Sequence, residues 1–228
     1  MFLTISIYMQ CMYRSKVLRL PPNIYLENHA ITNIFPGYFS DWDQYEFVGT
    51  LSWKFFEKTH IKPALIPKIM ASVNAQEIDA IGFFYVGFNM TLFELTDPHH
   101  PKFSQIWTEL LHSFGNRFTT EQITKCCKQS FFSNYWIAKT SLVKELCLFH
   151  KEIYDLMQTL PSIQDDLWSD SKYISCGSNM KGTPIQEIFN RSYYTYHPFI
   201  LERLAPFYFE ARNARIGQAK LLLQNFRK

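Results

Sequence analysis

The stretch YEFVGTLSW, residues 45–53, is rich in aromatic and branched residues and has no helical stripe of apolar side chains, which predicts a strand. The segment PALIPKIMASV follows, and it predicts a short helix that begins near Ile66, because Pro67 fits the first turn of a helix. The next run, DAIGFFYVGF over residues 79–88, is apolar almost throughout, as expected of a strand buried on both faces. We therefore expect these two strands and the helix to form a right-handed βαβ crossover.

Toward the amino terminus, residues 2–9 predict a first strand and the segment NIYLENHAITNIF predicts a helix. Toward the carboxyl terminus, the apolar spacing in HPKFSQIWTELLHSFG predicts a helix that Gly115 can end. Residues 131–138 predict a further strand, and a long amphipathic helix follows that Thr140 or Ser141 can cap.

The remaining pattern is a loop over residues 161–190, a helix from Pro198 to about Leu204 that ends before Pro206, and a basic helix from residue 216 onward. Strands and helices alternate in the first half of the chain, and helices dominate afterwards. We expect one α/β domain over residues 1–228, with a mixed, mostly parallel sheet, flanking helices and a helical C-terminal half.

The composition narrows the class of protein. The 228 residues include 21 Phe and 13 Tyr, enough aromatic side chains for a thick core and for a pocket that takes flat or ring-shaped ligands. The net charge of +3 and the lack of a long basic run disfavour nucleic acid as a partner. Five cysteines without a CxxC motif suit reduced thiols, and we expect a cytoplasmic protein with no signal peptide and no transmembrane segment.

Several common catalytic motifs are missing from the sequence. It contains neither GxGxxG nor GxxxxGK[ST], and no GxSxG motif, so dinucleotide, P-loop and nucleophile-elbow chemistry have no local support. The turn DPHHP, residues 97–101, offers two adjacent histidines, either as metal ligands or as part of a turn that caps the following helix. Two adjacent histidines do not easily ligate the same ion, which favours the capping turn.

The pair Asp41 and Asp43 has the spacing with which sugar-nucleotide transferases hold a divalent cation, Mg²⁺ or Mn²⁺. The pair precedes the strand at residues 45–53 and so lies at its amino end, whereas ligands of open α/β sheets bind beyond the carboxyl ends. The two alternatives are a metal site and a solvated turn before the strand, and the position favours the turn.

Polar residues that follow the predicted strands are better placed for a site. Trp53, Lys54 and Lys58 come at or beyond the carboxyl end of the strand at residues 45–53, and Asn89 follows the next strand. A lysine at this edge can bind a diphosphate, and Asn89 can donate a hydrogen bond to a base or sugar. The alternatives are an exposed lysine and an ordinary turn asparagine.

The stretch SYYTYHPFILERLAPFYF, residues 192–209, places His197, Glu202 and Arg203 among aromatic and branched apolar residues. An unpaired buried charge is unfavourable by several kcal/mol, so these side chains are exposed, paired with one another, or part of a site.

Three blocks in order, YEFVGTLSWKF, FFSNYWIAKTSLVKEL and SYYTYHPFILERL, resemble the glycosyltransferase-like proteins related to capsular-polysaccharide transferases, which also occur in large DNA viruses. This resemblance implies a GT-A-like fold and the transfer of a sugar from a nucleotide-sugar donor to a glycan or glycoprotein acceptor. It also implies that Asn134 and Tyr135, in the second block, contact substrate.

The resemblance gives the charged residues of the third block a role. Glu202 is the candidate catalytic base, with His197 at the entry of its helix, and Lys54, Lys58 or Arg203 can meet the departing diphosphate. One alternative is a structural Glu202–Arg203 ion pair. A second is a catalytically silent relative that binds a glycan or a protein, since the chain has SWK where the family has a basic run.

Overall fold

The computed structural model describes residues 3–9, 14–20, 24–25, 27–52, 55–84, 90–125, 131–173 and 193–224. Within these residues six strands form one mixed sheet in the order β2-β1-β3-β5-β4-β6. The strands are β1 Leu3–Met9, β2 Arg14–Leu20, β3 Phe47–Ser52, β4 Ala80–Gly82, β5 Trp136–Lys139 and β6 Ile216–Gln218.

The sheet is mixed as expected, but the expectation of a mostly parallel sheet is wrong. Only β4 and β6 pair in parallel, and the other four pairings within the described residues are antiparallel. The strands β3 and β4 run in the same direction, as a βαβ crossover requires, yet they are not neighbours because β5 lies antiparallel between them. The alternation of strands and helices along the chain could not predict that the later strand β5 would insert between β3 and β4.

The helices of the described residues follow the apolar spacing closely in three places. The predicted start at Ile66, the helix ahead of Gly115 and the long helix at residue 140 are all confirmed. The α-helices are α1 Phe39–Trp42, α2 Phe55–Thr59, α3 Ile66–Ala75, α4 Leu92–Thr96, α5 Phe103–His112, α6 Thr120–Lys125, α7 Thr140–Thr159, α8 Gln164–Trp168, α9 His197–Glu202, α10 Leu204–Ala211 and α11 Ala219–Gln224.

Short π- and 3₁₀-helical segments lie between the α-helices of the described residues. Within NIYLENHAITNIF, where the sequence predicted a helix, Ala30–Ile34 is π-helical, and a 3₁₀ helix, Phe35–Tyr38, follows it. Further 3₁₀ turns span Pro63–Leu65, Gly115–Arg117 and Pro161–Ile163. None of the helices in the described ranges has the length and apolar character needed to cross a membrane.

Several boundaries differ from the sequence-based expectation. The strand predicted over 79–88 ends at Gly82, residues 83–84 form a bend, and residues 85–89 lie outside the described residues. The strand predicted over 131–138 begins only at Trp136. The first three residues of the predicted C-terminal helix form the strand β6, and the helix begins after them.

The helix expected to end before Pro206 instead breaks at Arg203, and Pro206 lies in the first turn of α10, where its missing N–H is tolerated. Of the predicted loop over 161–190, the first part folds into a 3₁₀ turn and α8, and residues 174–192 lie outside the described residues.

Apolar side chains cover both faces of the sheet at β3, β4 and β5. Alternate residues of the strands point to opposite faces, so Val48 and Ala138 belong to one core cluster and Phe47 and Ile137 to the other. The larger cluster packs under α5, α7, α9 and α10, and the smaller one packs under α2, α3 and α11. The sheet is therefore the middle layer of three, as in other α/β domains.

The contact between β3 and β5 leaves no room for a side chain at Gly49. A Cβ atom there would lie 2.2 Å from the Trp136 carbonyl oxygen and 2.6 Å from the Ile137 Cα atom, and the backbone cannot yield easily. Gly49→Ala is expected to lower the free energy of unfolding by about 1–3 kcal/mol, as overpacking does. Urea unfolding followed by circular dichroism measures the change.

The control is Gly37→Ala, because a Cβ atom at Gly37 has no heavy atom within 4 Å. Equal unfolding midpoints for the two variants would contradict the close approach of β3 and β5.

Candidate functional site

The segment between Phe131 and Tyr135 lies at the carboxyl ends of β3 and β4. Trp136 opens β5 opposite Thr50 and Gly82, near the last residues of β3 and β4. The backbone of this segment is also tied to the chain just after β4, because Phe132 N–H donates to the Phe84 carbonyl at 3.0 Å. Because β5 is antiparallel to β3 and β4, the segment before β5 lies at the edge where the sequence predicted a crevice.

Ser133 stands at the centre of a group of charged side chains on this edge. Lys58 Nζ, from α2, donates to Ser133 Oγ at 3.0 Å, and the Ser133 backbone N–H donates to Glu202 Oε1. Glu202 Oε2 lies 2.8 Å from Arg203 Nη1. We call Lys58, Ser133, Glu202 and Arg203 the Ser133 cluster.

Arg203 is more buried than the other charged members of the cluster, because its side chain is only 7% exposed. Its guanidinium carbon lies 3.7 Å from the centroid of the Phe132 ring, a cation–π contact. Its Nε atom is buried and has no hydrogen-bond partner among the described residues. A guanidinium with an unused buried donor has capacity for a further acceptor oxygen.

The Glu202 carboxylate is held in its charged form. Burial alone would raise the pKa of Glu202, but the charges of Arg203 and Lys58 and the Ser133 N–H outweigh it, so the pKa lies below its ordinary value. Both carboxylate oxygens are engaged, one by Ser133 and one by Arg203. In this state Glu202 holds Ser133 and Arg203 in place. Its lowered pKa makes it a weak base, whereas a general base works best with a pKa near the ambient pH.

The backbone beside the cluster is strained. Ser133 and Asn134 are consecutive non-glycine residues with positive φ angles of 68° and 51°. Such conformations are unfavourable by about 1–3 kcal/mol each and persist only where surrounding contacts enforce them. The bonds from Lys58 and to Glu202 enforce them at Ser133, and a side-chain bond from Asn134 Nδ2 to Asn28 Oδ1, 3.0 Å long, enforces them at Asn134.

Two residues predicted to bind substrate are part of the supporting core. Asn134 is 3% exposed, and its partner Asn28 in turn donates to the Pro198 carbonyl at the start of α9. Tyr135 is 1% exposed, and its ring contacts Phe55 edge-on at 5.7 Å, with Lys58 Nζ 5.7 Å from the ring centroid. Both residues lie on the buried side of the Ser133 cluster and support it. Their contact with substrate stays a prediction.

His197 lies in a different environment from the one its predicted catalytic role suggests. The ring is fully buried, with Nδ1 3.0 Å from Thr195 Oγ1, and it contacts Trp168 at 4.5 Å and Tyr25 at 5.5 Å between ring centroids. Tyr25 and Thr195 are buried, Trp168 is partly buried, and the imidazole itself has no exposed surface, so a proton cannot pass directly between it and solvent in this conformation. Trp53, Lys54 and Asn89 lie outside the described residues.

The aspartates suspected of metal binding lie at the other edge of the sheet. Asp43 precedes β3 and forms an exposed ion pair with Lys144 in the first turns of α7. The Asp41 carbonyl accepts a hydrogen bond of 2.9 Å from the Gln44 side chain, as in a turn. Within the described residues, no three His, Cys, Asp or Glu side chains group in a way that could hold a metal ion.

His100, in the DPHHP turn, is near the cluster, and sequence reasoning did not select it as a site residue. The turn caps α5 as expected, because Asp97 Oδ1 accepts from Ser104 N–H at 3.0 Å. The buried His100 ring stacks on Phe199 of α9 at 4.1 Å, and the charges of Glu202 and Arg203 both act on it. Burial lowers the pKa of His100 to about 4, so its ring is neutral at physiological pH.

Ser133 was also missed, because the apolar run around it predicts a strand. The signal that could have found it is the Ser133–Asn134 pair, a turn-forming pair of polar residues between Phe132 and Tyr135.

Comparison of the chain with protein-family models, with curated proteins and with solved structures finds no match in any of the three.

Removing the Glu202 carboxylate should leave Arg203 as a buried charge without its counterion. Glu202→Ala is expected to lower the free energy of unfolding by about 3–5 kcal/mol, as for other broken buried pairs. The double variant Glu202→Leu with Arg203→Met should recover most of this loss, because it removes both charges and fills the space. Urea unfolding of the three proteins measures both effects. An equal loss in the double and single variants would show that the ion pair is not the cause.

The lowered pKa of Glu202 also predicts a pH dependence. A carboxylate whose pKa is lower in the folded protein stabilises it above the ordinary value of 4.5, and this contribution disappears as the pH falls through the folded-state pKa. The difference in unfolding free energy between wild type and Glu202→Gln should therefore be constant from pH 7 to about 5 and shrink below that. A difference that does not vary down to pH 3 would contradict the assigned charge state.

Proposed function

We propose that the protein is a glycosyltransferase that moves a sugar from a nucleotide-sugar donor to a glycan or glycoprotein acceptor. The observation that carries this proposal is Arg203, a buried guanidinium with an unused donor, close to the exposed Lys58 amino group at the carboxyl ends of β3 and β4. Phosphate oxygens are the acceptors that a guanidinium fork and a nearby ammonium group suit best. The three sequence blocks that resemble capsular-polysaccharide transferases supply the reaction class.

The Ser133 cluster provides the groups that such a transfer needs. Lys58 and Arg203 stabilise the negative charge that develops on the departing nucleoside diphosphate. A bound diphosphate also neutralises the two positive charges that keep the pKa of Glu202 low and draws Arg203 toward its oxygens. Glu202 then becomes a stronger base, able to take the proton of the acceptor hydroxyl if the reaction inverts the configuration.

A second candidate function is a catalytically silent relative that binds a glycan or a partner protein. The observation that favours it is the engagement of both Glu202 oxygens, which leaves the carboxylate no free position for an acceptor hydroxyl. The SWK sequence in place of the family's basic run points the same way. The two candidates differ in turnover, since only the transferase releases a nucleoside diphosphate.

A screen of thermal stability with UDP-, GDP- and dTDP-sugars, with and without Mn²⁺ or Mg²⁺, tests the proposal. A donor at 100 times its dissociation constant should stabilise the protein by about 2.7 kcal/mol. Lys58→Ala should weaken binding of that donor by about tenfold, because it removes a charge-assisted hydrogen bond. Isothermal titration measures the affinity, and release of the nucleoside diphosphate in the presence of glycan acceptors measures turnover.

Two control variants accompany the screen. Lys62→Ala removes an exposed lysine four residues further on and should leave donor affinity unchanged. Asp41→Ala combined with Asp43→Ala should leave turnover nearly intact, because these residues lie at the opposite edge. Absence of a thermal shift with every donor would contradict the proposal, and donor binding without turnover would favour the silent relative.

A further inference from the structure

Three aromatic rings pack against one another on the side of α9 that faces the DPHHP turn. His100 lies 4.1 Å from Phe199 and 5.9 Å from Tyr173 between ring centroids, with interplanar angles of 28° and 20°. His100 and Phe199 are buried, whereas Tyr173 is 45% exposed. We call Tyr173, His100 and Phe199 the ring stack.

The ring stack is held rigidly. His100 Nδ1 lies 2.9 Å from the Ser171 carbonyl oxygen, and because a carbonyl can only accept, Nδ1 carries the proton. Tyr194 meets the Tyr173 ring edge-on at 5.5 Å. With its rings fixed from two sides and neutral, the stack is a preorganised aromatic surface that reaches solvent at Tyr173.

The stack and the Ser133 cluster belong to one region. Phe199 and Arg203 are four residues apart across the end of α9, a spacing that sets Cβ atoms about 5–6 Å apart on one face of a helix. Glu202 and Arg203 also act electrostatically on His100. Arg203 thus lies about one helical turn from Phe199, and the exposed Tyr173 ring lies 4.9 Å from the Phe199 ring between centroids.

We propose that the ring stack binds, through Tyr173, the face of a ring that a phosphate-bearing ligand carries while its phosphates occupy Lys58 and Arg203. The ligand class rests on the proposed function, because a nucleotide sugar carries both a planar nucleobase and a sugar ring. Either ring has a face that packs on an aromatic side chain, and base stacking on an aromatic residue is sequence-tolerant. The probes below distinguish the two rings.

Isothermal titration of wild type, Tyr173→Ala and Tyr173→Phe with UDP, GDP, dTDP, glucose 1-phosphate and pyrophosphate tests the proposal. Tyr173→Ala should weaken binding of a ring-bearing probe by about 5- to 100-fold and leave pyrophosphate affinity unchanged, because only the stacking contact is lost. Tyr173→Phe should keep the wild-type affinity. A loss with the nucleoside diphosphates assigns the nucleobase to the stack, and a loss with glucose 1-phosphate assigns the sugar.

Leu148→Ala is the control, since Leu148 is a similarly exposed apolar side chain, 57% exposed, on α7. Thermal unfolding establishes that each variant is folded. The proposal is overturned if Tyr173→Ala leaves every affinity unchanged, if it weakens pyrophosphate equally, or if wild type binds none of the ring-bearing probes. Failure of the proposed function is a separate result, namely Tyr173-dependent binding of these probes without sugar transfer.

Discussion

The hydrogen bond from the Ser133 backbone to the Glu202 carboxylate joins the sheet to the helical layer above it. On one side of this bond, the segment before β5 adopts two consecutive strained conformations. On the other, α9 ends and Arg203 turns into the interior. Without the carboxylate, the Ser133 N–H group and the Arg203 guanidinium would both lose their partner, so the geometry of the whole cluster depends on this one side chain.

This arrangement keeps a positive charge in a poorly solvated position without fully satisfying it. Charged hydrogen bonds are stronger in a low local dielectric, and an unused buried donor is correspondingly unfavourable. The Nε atom of Arg203 therefore gains more from a bound acceptor than a solvated arginine would. The Glu202–Arg203 ion pair thus explains why residues 192–209, an otherwise apolar stretch, contain charged side chains. The unused Nε donor of Arg203 also suits the cluster to an anionic ligand.

The sequence predicted most of the helices and part of the site. Helices α3, α5 and α7 have strong apolar periodicity, which survives folding because each packs one face on a core. The strand order of the sheet was harder to predict, because strand pairing depends on contacts between residues that are distant in the sequence. Nothing in the local pattern shows that β5 enters between β3 and β4 or that β6 pairs with β4.

The site prediction depended on strand direction more than on strand neighbours. Because β3 and β4 run in the same direction, their carboxyl ends share an edge, and Lys58 bonds to Ser133 and acts on the Glu202 charge there although the sheet is mainly antiparallel. His197, Asn134 and Tyr135 were selected because they lie in the blocks that carry the family resemblance, and all three are buried. The ring stack joins residues 100, 173 and 199, and no local motif connects positions so far apart in the chain.

A crystal structure of the protein with UDP at saturating concentration tests directly whether the Ser133 cluster binds phosphate. We expect a phosphate oxygen within hydrogen-bond distance of both Lys58 Nζ and Arg203 Nε, at the carboxyl ends of β3 and β4. This expectation would be contradicted by a diphosphate bound at another place, such as the turn with Asp41 and Asp43, while Arg203 keeps its present contacts with Glu202 and Phe132.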